Sequence, residues 1–211
     1  MSPERFRDRA DAAARLAEAL EDYRGTRPLV IGVPRGGVPL ARRVADALDG
    51  ELDVVLVRKL GAPESPELAI GAVDEEGRVT LNPSFPPGTL DPDYLRQEVA
   101  AQRARIRARR ARYTPARGAL DPAGRTVLVV DDGAATGSTL LAALGALRLA
   151  HPALLVAAVP VAPPSTAARL RAACDRLVVL RTPEPFYAVG AHYLDFGQVD
   201  DEEVIAALAE G

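Results

Sequence analysis

The residues with the clearest chemical potential are Asp131 and Asp132, which end the apolar run TVLVVD (126–131). The small-residue segment GAATGST (133–139) follows them and leads into an apolar helical pattern. Small residues let a ligand approach the backbone, and the free N–H groups at a helix start favour an anion. Carboxylates accept hydrogen bonds from vicinal hydroxyls or from metal-bound water. The stretch therefore predicts a site for ribose 5-phosphate, with the loop on the phosphate and the acids on the sugar.

The residues of this chain exclude two other kinds of phosphate-binding loop. The loop of nucleoside triphosphatases needs a Lys before its Ser or Thr, and Gly137 occupies that place. A dinucleotide-binding loop needs Gly-x-Gly-x-x-Gly, which neither this segment nor GVPRGG (32–37) provides.

Three segments resemble those of one known family. VVDDGAATGST (129–139) closely resembles the signature loop of type I phosphoribosyltransferases. GVPRGG (32–37) is similar to the pyrophosphate loop of that family, and VRKLGAPESPELAIGAV (57–73) is similar to its mobile active-site loop. The resemblance covers about residues 28–180.

The resemblance implies a role for each matching residue. Asp131 and Asp132 would hold the ribose of phosphoribosyl pyrophosphate and act on Mg²⁺ indirectly. Arg35, Gly36 and Gly37 would hold the pyrophosphate, which Mg²⁺ neutralises. The residues assigned to the 5-phosphate are Gly133, Ala134, Ala135, Thr136, Gly137, Ser138 and Thr139.

Lys59 is the single Lys among 26 basic residues, so its chemistry is of interest, although chance survival is the alternative. In a loop that closes over the ligand, Lys59 or Arg58 could reach the departing pyrophosphate. The compact ammonium of a Lys can follow a moving group, whereas Arg prefers a fixed two-bond fit.

The segment RTPEPFYAVGAHYLDFGQV (181–199) distantly resembles the hood of the enzymes acting on 6-oxopurines. Phe186 or Tyr187 could stack on a base and Asp195 could approach the metal, while the alternative is that the aromatics form the core of the hood. Some family members carry a carboxylate general base where this chain has Ala135, so no general base is identified.

Alternating strand and helix patterns predict an α/β fold with helices on both faces of a parallel sheet. The resemblance implies three layers, a mainly parallel sheet in the order 3-2-1-4-5-6 with strand 3 antiparallel, and a small hood. Residues 1–211 are predicted to form a single domain, with an insertion at about 82–118 and the hood at about 181–199. The predicted strands are 28–33, 52–57, 126–131, 153–161 and 176–180, and the predicted helices are 3–23, 38–48, 91–113 and 200–210. The predicted connections are a long loop at 58–71, a hairpin at 69–81 that turns at Glu76-Gly77, and an irregular segment at 82–92.

The composition of the chain limits the classes of partner and the cellular location that we expect. The net charge of −3 gives no overall basic field for nucleic acid, and the Arg-rich stretch 96–113 is interpreted as a solvated helix face. No apolar run reaches the length of a membrane span, and the charged N-terminus is unlike a signal peptide. The lone Cys174 fits a reducing cytoplasm, and two His with one Cys do not make the usual zinc site.

The leading hypothesis is therefore a cytoplasmic, Mg²⁺-dependent phosphoribosyltransferase of nucleotide salvage. It would use phosphoribosyl pyrophosphate and a nucleobase or related amine as acceptor. The alternative is a non-catalytic sensor of phosphoribosyl pyrophosphate or a nucleotide on the same fold, and a nucleotide-dependent oxidoreductase is disfavoured by both loops. Neither the acceptor nor the oligomeric state follows from the sequence, and a homo-oligomer stays open.

Overall fold

The chain folds into two compact units, which are described separately. One comprises Met1–Val55 with Ala119–Gly211, and the other is Leu56–Gly118. The structure is a computed structural model that describes residues 5–82, 85, 88 and 90–209, with residues 66 and 67 described by their backbone. The predicted irregular segment 82–92 falls partly outside these residues.

The elements are numbered in chain order. The strands are β1 (Leu29–Gly32), β2 (Glu51–Val54), β3 (Arg58–Ala62), β4 (Ser65–Val73), β5 (Val79–Leu81), β6 (Thr126–Val130), β7 (Leu154–Val161) and β8 (Arg176–Arg181). The helices are α1 (Arg9–Ala19), α2 (Gly37–Leu48), α3 (Pro92–Tyr113), α4 (Ser138–Arg148), α5 (Pro164–Ala173) and α6 (Asp201–Ala209).

The first unit is built on a five-stranded parallel sheet in the order β2-β1-β6-β7-β8. Its central strands are apolar and buried apart from the first residues of β6 and β7, as expected for a sheet covered on both faces. Helix α2 contacts α1 and α6, while α4 contacts α5. Because crossovers between parallel strands are right-handed, α2 and α4 cover opposite faces of the sheet. The three-layer α/β/α fold is thus confirmed.

The antiparallel third strand that was predicted for this sheet does not belong to it. Strands β3, β4 and β5 form a separate three-stranded antiparallel sheet in the second unit. The hydrogen bonds of β4 are therefore made with β3 and β5. The main sheet keeps the order 2-1-4-5-6 of the prediction without strand 3.

The predicted long loop 58–71 is also wrong. It forms β3 and the first part of β4, joined by a turn at 63–64. Register shifts at Leu60–Gly61 and Gly61–Ala62 accommodate the irregular residues that suggested a loop. The predicted hairpin turn is confirmed, with Gly77 at φ +87° between β4 and β5.

Helix α3 begins as predicted, with the Asp91 side chain accepting a hydrogen bond from the Asp93 N–H. It packs on β3 and β4 and places Ile106 and Tyr113 in the buried interior. The predicted insertion at about 82–118 falls inside this second unit, which starts earlier, at Leu56. That both units form a single domain stays a prediction.

Candidate active site

Asp131 and Asp132 lie at the point where the strand order of the sheet reverses. Strands β1 and β6 are parallel neighbours, with Gly32 paired to Val130, and the Val33 N–H donates to the Val130 carbonyl at 2.9 Å. From this pair the chain moves outward in opposite directions, to β2 on one side and β7 on the other. Ligands of open α/β sheets bind at such a switch point, outside the carboxyl ends of the strands. The predicted proximity of the loops after Val33 and Asp131 is confirmed.

The segment Arg35-Gly36-Gly37 fits directly against the acids. A Cβ atom on Gly36 would overlap the Asp132 carboxylate, and one on Gly37 would lie 2.5 Å from the Val130 carbonyl oxygen. Both glycines are therefore needed for close approach, independently of any ligand. The Arg35 side chain is exposed at the start of α2.

Side chains of helix α5 hold the small-residue loop by donating hydrogen bonds to the carbonyl groups of the loop. Thr166 Oγ1 donates to the Ala135 carbonyl at 2.6 Å, and Arg169 Nη1 donates to the Thr136 carbonyl at 3.1 Å. Gly137 precedes α4 with φ +68°, in the left-handed region that favours glycine. The first rung of α4 runs from the Leu141 N–H to the Gly137 carbonyl. The Ser138 N–H donates to Thr136 Oγ1 at 3.4 Å, and the N–H groups that follow it in the first turn precede the helical ladder and can face an anion.

The loop encloses a shallow depression of about 130 Å³. Its lining consists of Asp131, Gly133, Ala134, Ala135, Thr136, Gly137, Ser138, Thr139 and Leu140. The volume is below the roughly 300–1,000 Å³ of pockets that enclose a drug-sized ligand. Its size and its hydroxyl and N–H donors suit one phosphate group.

The adjacent acids differ in their surroundings. Asp131 Oδ1 accepts a hydrogen bond from the Asp132 N–H at 2.9 Å. Burial, reinforced by the negative charge of Asp132, raises the pKa of the Asp131 carboxyl well above its usual range. Burial also raises the pKa of Asp132, while the neighbouring Arg9 opposes that shift.

Arg9 is a site residue that the sequence analysis missed. Its Nε and Nη2 atoms lie 2.9 Å and 2.8 Å from Asp132 Oδ2. The Tyr193 hydroxyl donates to the Asp132 backbone carbonyl at 2.6 Å. No local signal marks either residue, because Arg is the common cation of this chain and Arg9 is 123 positions away from Asp132.

The hood lies partly over the acids. Val189 covers Gly133 so closely that a Cβ there would be 2.5 Å from Val189 Cγ1. Phe186 packs on His192 with a ring separation of 4.8 Å, whereas Tyr187 is 85% exposed. Burial, aided by nearby arginines, lowers the pKa of His192. Neither aromatic is shown to stack on a base, and that role stays a prediction for both.

Asp195 lines a depression next to Arg9 and Arg43, which differs from the depression that residues 133–140 form. Among the described residues, no group of three or more His, Cys, Asp or Glu side chains could hold a metal ion. The assignments of Asp131, Asp132 and Asp195 to Mg²⁺ therefore stay predictions.

Arg58 and Lys59 belong to the second unit, on β3. Arg58 Nε donates to Gln102 Oε1 on α3 at 3.2 Å, while the Lys59 side chain is exposed opposite Ala72 of β4. Their roles on pyrophosphate stay predictions.

Comparisons with known proteins agree with this geometry. A family model described as a phosphoribosyl transferase domain matches residues 4–193. The Mycobacterium tuberculosis H37Rv protein named "Putative phosphoribosyl transferase Rv0571c" is 42% identical over 204 residues, which are 96% of this chain and 46% of that protein. The chain thus spans about half the length of the curated relatives it matches.

Solved structures extend the comparison. The crystal structure of TT1426 from Thermus thermophilus has a TM-score of 0.87 at 50% identity, covering 98% of each chain. The structure of the AQ2163 protein from Aquifex aeolicus has a TM-score of 0.51 at 12% identity and covers 86% of this chain and 78% of that one, which shows a shared fold alone. Within the described part of the chain, no helix is long and apolar enough to cross a membrane.

Proposed function

Because the chain belongs to the phosphoribosyl transferase domain family, we propose that it moves the 5-phosphoribosyl group of phosphoribosyl pyrophosphate onto a nitrogen of a nucleobase or related amine. One observation carries the proposal. The half-buried acids that follow β6 lie against Gly36 and Gly37 on one side and continue into the small-residue loop 133–139 on the other. One ligand with a phosphate, a sugar and a pyrophosphate group would use all three features.

The acids supply two acceptors for the sugar. Asp131 Oδ1 receives the Asp132 N–H, and Asp132 Oδ2 receives Arg9. Within the described residues, Asp131 Oδ2 and Asp132 Oδ1 have no protein donor, so each can accept a hydrogen bond from one of the vicinal ribose hydroxyls.

The reaction breaks the bond between C1 of the ribose and a pyrophosphate oxygen, which keeps the bonding electrons. The nitrogen lone pair of the acceptor forms the new bond to C1, and a proton of that nitrogen is released. Positive charge grows on the sugar as pyrophosphate departs, and fixed carboxylates beside the ring favour that charge. Ala135 provides no carboxylate base, so the proposal assigns no protein group to the proton.

Lys59 or Arg58 is proposed to approach the departing pyrophosphate, and Arg35 with the N-terminus of α2 to bind it in the ground state. Excluding water from the sugar would favour transfer over hydrolysis.

The proposal includes Mg²⁺. The carboxylates of this site fit an ion to which the protein contributes only part of the ligands. Mg²⁺ is commonly held by one or two carboxylates, substrate phosphates and water, and this site offers two carboxylates. Asp131 and Asp132 would contact it through water, with Asp195 as a further candidate. When bound, Mg²⁺ would neutralise the pyrophosphate.

Two measurements test the function. Phosphoribosyl pyrophosphate with Mg²⁺ should raise the melting temperature, and NAD(P) should not. A panel of purines, pyrimidines and simple amines should then include an acceptor that triggers release of pyrophosphate. Protection without release for any acceptor would favour a sensor of the same ligand, and absence of protection would refute the proposal. A role in cytoplasmic nucleotide salvage follows only if a nucleobase is the acceptor.

A further inference from the structure

Arg9 is held on three sides at the acid pair. Its guanidinium contacts Asp132 Oδ2 through two nitrogens, and Nη1 donates to the Gly197 carbonyl at 2.6 Å. The guanidinium carbon lies 3.9 Å from the centre of the Phe196 ring. Only 16% of the Arg9 side chain and 13% of the Asp132 side chain are exposed. Such a cradle restricts Arg9 to one position, unlike the long side chain of a surface ion pair.

Both chain ends build this cradle. The Phe6 N–H donates to the His192 carbonyl at 2.9 Å, and the Leu194 N–H donates to the Phe6 carbonyl at 2.8 Å. The Phe6 ring is buried against Tyr193, whose hydroxyl bonds to Asp132. The segment before α1 is therefore attached to the hood, and this attachment delivers Arg9 to the acid.

The contact is selective for one carboxylate oxygen. Arg9 binds Oδ2, which is also the nearer of the two oxygens to Gly36, while Oδ1 has no protein donor among the described residues. A carboxylate that was free to rotate would present either oxygen to a ligand. The pairing also balances one of two adjacent negative charges at a site for an anionic ligand.

We propose that Arg9 is a positioning residue for the sugar: it holds Oδ2 of Asp132 and so presents Oδ1 to a ribose hydroxyl. This inference rests on the proposed function. It predicts that the contribution of Arg9 is made through Asp132 and concerns the sugar more than the pyrophosphate.

A double-mutant cycle tests this with phosphoribosyl pyrophosphate and inorganic pyrophosphate as probes, each with Mg²⁺. In the native chain, Arg9→Ala should weaken binding of phosphoribosyl pyrophosphate about 10-fold, the usual scale for a charge-assisted contact. In the Asp132→Asn chain, the same change should have less than about a twofold effect, since its partner is lost. Binding of inorganic pyrophosphate should change less than about threefold, because it lacks the sugar.

Two further variants control the experiment. Arg9→Lys keeps the charge but lacks the fork, so it should restore binding only in part, and it serves if Arg9→Ala does not fold. Arg148→Ala removes a two-bond ion pair with Asp175 at the far end of α4 and should leave binding unchanged.

The outcomes separate the two proposals. A native chain that does not bind phosphoribosyl pyrophosphate refutes the function and with it this inference. Native binding that survives in Arg9→Ala, equal losses for both probes, or equal losses with and without Asp132 would each overturn the role of Arg9 alone.

Discussion

Two pairs of neighbouring acids have different surroundings, Asp74 and Glu75 in the second unit and Asp131 and Asp132 in the first. In the second unit, Glu75 meets Arg110 in an ion pair with two N–O distances of 2.8 Å, and both side chains are largely buried. The nearby Asp74, 4% exposed, accepts a hydrogen bond from Arg78 at 2.6 Å. Each of these acids has an arginine of its own, so burial is compensated locally.

In the first unit, two adjacent acids share one such partner. Arg9 pairs with Asp132, while burial next to that carboxylate raises the pKa of Asp131. Placing two carboxylates side by side disfavours their ionisation and therefore opposes folding. Acids in a cleft whose pKa values are shifted in this way are candidates for a functional site. We infer from the contrast that Asp74 and Glu75 are compensated within their unit, whereas Asp131 and Asp132 are candidates for ligand binding.

The strongest test of that contrast replaces both Asp131 and Asp132 by Asn. Size is kept and the charge beside the sugar is lost, so we expect turnover to fall about 100-fold or more with folding preserved. Pyrophosphate release measures the first effect and thermal melting the second. Near-normal turnover in the double variant would contradict the assignment of the acids.

Gly137→Val tests whether the loop beside the acids binds the phosphate. A side chain at φ +68° is strained by about 1–3 kcal/mol, and its Cβ would lie 2.8 Å from Thr166 Cγ2. We expect thermal protection by phosphoribosyl pyrophosphate to disappear. Gly118→Val is the matched control, because nothing lies within 4 Å of its Cβ position. A folded Gly137→Val chain with full protection would mean that the phosphate binds elsewhere.

Lys59 tests whether the second unit takes part in the chemistry. Within the described residues this exposed cation has no ion-pair partner, unlike Arg78 and Arg110. If it follows the departing pyrophosphate, Lys59→Ala should lower kcat about 10-fold with a smaller effect on binding, and Lys59→Arg should restore the rate only partly. The exposed Arg105 on α3 offers a control, and unchanged turnover in Lys59→Ala would make Lys59 a compositional accident.

The smallest predicted effect concerns stability. Because the folded-state pKa of Asp131 is raised, ionising it opposes folding. This penalty is absent below the unfolded pKa, grows as pH rises from the unfolded pKa toward the folded pKa, and is constant above the folded pKa. Asp131→Asn should therefore stabilise the fold by about 1 kcal/mol at neutral pH. The gain should shrink as pH is lowered, measured by urea unfolding at several pH values.

Glu75→Gln is the matched variant for this measurement. It breaks a compensated pair and should destabilise its unit by about 2 kcal/mol. Losses of stability in both variants would remove the distinction between the two kinds of acid.

Local patterns were sufficient for much of the fold. Apolar runs of strand length, alternating with helical patterns, predict the five parallel strands, and Asp91-Pro92 predicts the start of α3. They failed at 58–71, where Gly and Pro suggested a loop but pairing between β3 and β4 supplies the hydrogen bonds of a hairpin. Strand pairing is non-local, so propensity alone does not decide it.

The candidate site divides in the same way. By itself the sequence determined the position of the candidate acids, of the small-residue loop 133–139 and of the Gly36-Gly37 segment. Each depends on neighbouring residues: the end of a strand, a glycine with left-handed backbone and the N-terminus of a helix. Only the tertiary structure decided that Arg9 meets Asp132, 123 positions away, and that Tyr193 bonds to the same residue. The physical reason is that an ion pair requires only that two charged groups lie within about 4 Å of each other in space. Such a pair produces no pattern in the sequence, so its partners are selected by the way the two ends of the chain pack together.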